Sequence, residues 1–159
     1  MKRQTFVLTA FAAAAVFSLA GCAHHMAHEG GMMTAPSTVQ VYTATLTPGE
    51  EVPPATDSQG KGTAEVTIDT KTNELTWKTS YSGLTGPATM GHIHGPAGAG
   101  QNAGVVVPFP GVANATSAEG KAKITQAQYG DLAAGLYYVN VHTAKYPAGE
   151  IRGQLQLKK

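Results

Sequence analysis

From Val39 onward, apolar and polar residues alternate in short runs separated by Gly, Pro, Asn and Asp, the pattern of strands with one buried face. The runs are Val39–Leu46, Thr63–Asp69, Glu74–Tyr81, Thr89–His94, Gly104–Phe109, Ser117–Ile124, Leu136–Thr143 and Glu150–Leu157. Asp69 to Asn73 reads as a polar hairpin connection, which sets Ala64, Val66 and Ile68 beside Leu75, Trp77 and Thr79 as one inward face. Long helical periodicity is absent. One short helix is expected over Thr125–Leu132, where Thr125 and Gln128 have capping-box spacing and Gly135 supplies a stop. Many short strands cannot lie in one flat sheet without exposing their apolar faces. The expected fold is therefore all-β, a two-sheet Greek-key sandwich with at most one short helix.

The chain before Val39 has a different character. Lys2 and Arg3 precede an apolar, alanine-rich stretch from Phe6 to Ala20, shorter than the roughly 20 residues a membrane-spanning helix needs. It reads as a signal-peptide core. Leu19-Ala20-Gly21-Cys22 resembles a bacterial lipobox, and Cys22 is the single cysteine of the chain. The organisation expected is a signal peptide over 1–21, a lipidated, palmitate-bearing tether over 22–38 and one domain over 39–159. Cys22 would hold the protein to the lipid bilayer, and Ala23 after it favours the outer membrane, facing the periplasm. With its cysteine committed to lipid, the domain has no disulfide and depends on its core.

The tether is rich in small residues and carries His24, His25, His28, Met26, Met32 and Met33. Imidazole and thioether are copper ligands, so this tract reads as a secondary metal-capturing segment, or as a plain linker. Only 13% of residues are charged and the formal net charge is +1. No basic stripe exists to follow a phosphate backbone, which argues against nucleic acid as a partner.

Inside the domain, period-2 alternation puts His92 and His94 on one strand face opposite Ile93, and Asn140 and His142 on one face opposite Val139 and Val141. Two imidazoles at His-x-His spacing stand roughly 6 to 7 Å apart and can turn onto one metal ion. His142 from a neighbouring strand would complete a three-nitrogen surface site. Imidazole alone leaves zinc, copper, nickel and iron open, and the His/Met tether tilts the choice to copper. Arg152 and Glu150, two apart, read as a structural ion pair or as an anion contact. The loop Gly95–Gly104 follows the His pair as a lid or a simple connection. Tyr137, Tyr138 and Tyr146 read as packing. No Ser-His-Asp set, phosphate loop or pair of catalytic carboxylates stands out, so no catalytic residue is assigned.

Several ordered segments carry a family resemblance: Gly49-Glu50-Glu51-Val52-Pro53-Pro54, Gly91-His92-Ile93-His94-Gly95-Pro96, Tyr138-Val139-Asn140-Val141-His142-Thr143 and Tyr146 to Leu155. Together they resemble the CHRD domain, the module named for chordin and found alone in bacterial exported proteins. The resemblance covers about Val39 to Leu157 and implies an all-β domain without specifying a biochemical activity. A more distant likeness is to copper-zinc superoxide dismutases, which use a His-x-His strand for copper. That likeness implies His92, His94 and His142 as copper ligands and Arg152 as an anion guide. The domain has no further histidine to bridge a second metal and no zinc loop. Either an immunoglobulin-like or a superoxide-dismutase-like sandwich fits the pattern, and the Cys-Trp-Cys signature of the former is missing. The leading reading is a membrane-anchored periplasmic protein that handles a metal, copper before zinc. The alternatives are a non-catalytic module binding another envelope protein and a copper oxidoreductase.

Overall fold

The computed structural model describes residues 38–159. Cys22 and the tether residues His24, His25, Met26, His28, Met32 and Met33 lie outside them.

The alternating runs form β1 (Val39–Leu46), β2 (Lys61–Asp69), β3 (Glu74–Ser82), β4 (Ala88–His94), β5 (Val105–Pro108), β6 (Ser117–Lys123), β7 (Tyr138–Thr143), β8 (Ile151–Gln154) and β9 (Gln156–Leu157). They build two antiparallel sheets, a five-stranded one in the order β6-β3-β2-β1-β9 and a four-stranded one in the order β5-β4-β7-β8. The expected two-sheet sandwich is therefore the observed architecture. In the β2–β3 hairpin, Ala64 pairs with Thr79, Val66 with Trp77 and Ile68 with Leu75, and all six are buried. Ala64, Val66, Ile68, Leu75 and Trp77 meet Ile93, Val107, Val139, Val141 and Ile151 of the second sheet in one apolar cluster. Trp77 stacks on Phe109, with ring centroids 4.9 Å apart.

Among the described residues a single α-helix, α1 (Gln126–Ala133), links β6 to β7 and starts on the expected capping box. Gln128 N–H donates to Thr125 Oγ1 and Thr125 N–H to Gln128 Oε1, which satisfies two amides that a helix start leaves unpaired. Gly135 closes it with a φ of 75°, the left-handed conformation that a glycine adopts without penalty. Among the described residues no helix is long and apolar enough to cross a membrane.

The last run departs from expectation. The sequence reads Glu150–Leu157 as one strand, but the chain changes sheets within it: β8 pairs with β7, and β9 pairs with β1. The break sits at Leu155, which is fully buried and whose N–H reaches Tyr137 O. A second link closes the same side of the sandwich, where Thr47 and Arg152 exchange backbone hydrogen bonds of 2.9 and 3.0 Å. The two strands come this close because Gly153 has no side chain: a Cβ there would run into the Thr45 carbonyl and lie 3.0 Å from Leu46 Cδ2. Replacing Gly153 with alanine should therefore lower stability by about 1–3 kcal/mol, as overpacking does. Denaturant unfolding of the variant measures this, and an unchanged midpoint would show that the junction is slack.

Candidate metal centre

The inner face of the second sheet is committed to the core, so its outer face receives the polar residues of the same strands. Across β4 and β7 the register opposes Met90 to His142, His92 to Asn140 and His94 to Tyr138, and β7 opposes Asn140 to Arg152 of β8. Directly paired residues share a face. His92, His94, Asn140, His142, Tyr138 and Arg152 are consequently gathered on one surface of the sheet.

That surface is not open. All six residues of β7 are buried, and His94 and His142 are only 8% and 5% exposed, with His92 half-buried. The expected surface site is thus corrected to a largely buried one. The cover comes from connecting segments: Asn102 Nδ2 donates to Val52 O, Gln154 Nε2 donates to Ala97 O, and His94 and His142 bond Ala103 O and Pro147 O. The loop Gly95–Gly104 does more than join strands, because it forms one wall of the site.

The three imidazoles converge, each offering a ring nitrogen within 4.8 Å of the others. Ring centroids lie 4.9 Å apart for His92 and His142 and 5.2 Å apart for His92 and His94. His94 Nδ1 and His142 Nδ1 each lie 3.0 Å from a backbone carbonyl, Ala103 O and Pro147 O respectively. A carbonyl only accepts, so both Nδ1 atoms carry the proton and both Nε2 atoms are unprotonated, the one on His142 accepting from His92 Nδ1. His142 Nε2 is 3.0 Å from His92 Nδ1, while His94 Nε2 is buried without a hydrogen-bond partner. Burial, and then the neighbouring imidazoles, push His92 down to about pKa 4. Burial also lowers His94 and His142, outweighing the hydrogen bonds to Ala103 and Pro147. Neutral imidazoles with the far nitrogen anchored are what a metal ion requires of its histidine ligands. The donor set fits zinc, copper, nickel or iron.

Residues 42–155 match the family model described as the CHRD domain. The chain belongs to the CHRD domain family. No curated protein and no solved structure matches the chain.

In this CHRD domain Arg152 and Glu150 do not pair. β8 begins at Ile151, so Glu150 lies outside the strand and the two-residue alternation does not hold between them. Glu150 accepts hydrogen bonds from Ser58 Oγ, Thr85 N, Thr85 Oγ1 and Thr143 Oγ1, all between 2.6 and 2.8 Å. Burial acts to raise its pKa, but those donors together hold it below the usual carboxylate value. Arg152, 1% exposed, donates to Asn102 Oδ1 and Gln101 O, and its guanidinium lies 3.4 Å from the Tyr138 ring centroid. Tyr138 in turn stacks on His94 at 5.0 Å with an interplanar angle of 4°. Arg152, Tyr138 and His94 form a layered stack that fixes the His94 ring, and the arginine locks the loop wall in place.

Two members of the CHRD site were not identified from sequence. Tyr138 shares the alternation of Asn140 and His142, a signal that could have placed it beside the histidines. Glu51 follows a 3-10 turn at Pro48–Glu50, and no period points to it. Its buried carboxyl is pushed up to about pKa 7, burial outweighing the opposing effects of Arg152, the Val52 amide and the Asn140 side chain. In the unfolded chain the same group titrates at its ordinary value of 4.5. The folded protein therefore binds the extra proton between these values, and the stability that protonated Glu51 permits is lost as pH rises through about 7. Glu51→Gln, which stays neutral, should be more stable than the parent above pH 7, with the difference vanishing toward pH 4.5. Thermal melts of both proteins across that range test it, and a pH-independent difference would contradict it.

Proposed function

We propose that this CHRD protein binds a single transition-metal ion, copper, through His92, His94 and His142 and serves metal handling at the bacterial cell envelope. The observation that carries the reading is the pair of backbone carbonyls fixing Nδ1 of His94 and His142 while ligand nitrogens of all three rings lie within 4.8 Å of one another. A cation there would give the buried His94 Nε2 a partner that the protein itself does not supply. Three imidazole ligands leave a further coordination position for water or an outside ligand. Copper is supported by the neighbouring tract with His24, His25, His28, Met26, Met32 and Met33, whose thioethers suit Cu(I).

With the tether histidines and methionines replaced by serine, the chain should still take up about one copper per molecule, read by metal analysis after gel filtration. His92→Ala/His94→Ala/His142→Ala in that background should take up none. Undiminished copper in the triple variant would remove the site, and preference for zinc in competition would change the metal.

The same proposal sets the protein on the periplasmic side of a membrane by lipid on Cys22, supported by the lipobox-like Leu19-Ala20-Gly21-Cys22. Labelled palmitate fed to expressing bacteria should enter the protein, and Cys22→Ser should abolish incorporation. Equal labelling of the two would overturn the anchor.

A further inference from the structure

The strand carrying His92 and His94 is irregular just before them. β4 spends Ala88, Thr89 and Met90 where β7 spends only Thr143 and His142, so one extra residue is inserted between the pairs Ala88–Thr143 and Met90–His142. Such a bulge inverts the alternation beyond it and re-aims the side chains that follow. Ala88 is buried in the core. Continued alternation from Ala88 would send the residue at position 90 inward as well. With the bulge, Gly91 faces inward, where a Cβ would lie 3.1 Å from Phe109 and 3.3 Å from Val112. Met90 is thereby turned outward onto the face of His92 and His94.

On that face Met90 is the direct cross-strand partner of His142, a relation that brings Cβ atoms to about 4.5–5.5 Å. It also lies two residues from His92, the least buried of the three histidines. Met90 is 46% exposed and takes no part in the core cluster. Its unbranched chain has three rotatable bonds and ends in a soft thioether. The first three donors are neutral nitrogens, and a thioether keeps the set neutral. An uncharged set containing sulfur suits a soft monovalent cation better than a hard divalent one.

We infer that Met90 is the fourth ligand of the centre and makes it selective for Cu(I). This rests on the three-histidine reading above and adds the metal's oxidation state and the residue that chooses it. The bulge is then a device for specificity, since it turns an exposed thioether side chain onto the sheet face that carries the histidines.

The test uses the full chain with Cys22 and the six tether His and Met replaced by serine, so that only the folded domain can bind. Cu(I) affinity is measured by competition with a bathocuproine chelator, and Co(II) affinity by its visible absorption. Met90→Leu keeps volume and apolar character, and circular dichroism verifies its fold. The expected result is a Cu(I) affinity at least tenfold weaker, a Co(II) affinity changed less than twofold, and loss of a copper–sulfur shell from the X-ray absorption spectrum. Equal Cu(I) affinities with no sulfur shell in the parent would overturn the role of Met90, leaving it an ordinary exposed side chain, while Co(II) binding kept the histidine site intact. Failure of the parent to bind either ion would overturn the histidine site and the Met90 role together.

Discussion

The antiparallel register between β4 and β7 determines both the core and the site. It opposes Ile93 to Val139 on the inner face and His92 to Asn140 on the outer. Because side chains alternate with period two, a slip of one residue would exchange these sets, exposing Ile93 and driving imidazoles into the apolar cluster. The register is held by that consequence: Ile93, Val139 and Val141 are fully buried against the opposite sheet. The packing that stabilises the sandwich is thus the same constraint that assembles the histidines.

Burying the outer face as well has an electrostatic consequence. Loops over β7 take His94, His142, Asn140, Arg152 and Glu51 out of water, and desolvation disfavours whichever form is charged. The imidazoles are held neutral and the Glu51 carboxyl is held protonated up to about pH 7. Arg152 remains as the buried cation, supported by Asn102, Gln101 and the Tyr138 ring. Glu150, at the neighbouring turn, shows the opposite solution: four hydrogen bonds from three separate segments stabilise its charge. One carboxylate clamps the loops while the other is kept from ionising, and the difference is the number of donors around each.

What was legible in the sequence followed local rules. Alternation located the β2–β3 hairpin with its inward residues, and the Thr125–Gln128 spacing located α1 with its cap. The same alternation separated Ile93 from His92 and His94. It failed wherever a residue's surroundings come from distant segments. Leu155 reads as one more strand residue, yet it is where the chain leaves one sheet for the other, because β1 waits on the far side to pair with Gln156 and Leu157. The spacing of Glu150 and Arg152 suggested a pair, but a turn at Gly149, with φ of 136°, precedes the strand. Burial of the histidines was hidden for a related reason: covering loops have no period, and their contacts join residues about fifty positions apart, such as Asn102 and Val52.

Unpartnered buried polar atoms are not spread evenly in their consequences. Glu51 Oε1, Asn140 Oδ1 and His94 Nε2 all lack hydrogen-bond partners, and all belong to the outer layer of the second sheet. Each costs free energy comparable to a lost hydrogen bond. An apolar outer layer would carry no such penalty, since valine or leucine at these positions could pack beneath the same loops. A fold that retains a neutral acid, an amide and three imidazoles in one covered layer is less stable than it could be there, and places where stability is forgone are where function is most economically sought. Two rings with Nδ1 tied to a carbonyl and an unprotonated Nε2, left without a partner on His94 and shared with His92 on His142, give that forgone stability a chemical direction, toward a cation that accepts nitrogen lone pairs.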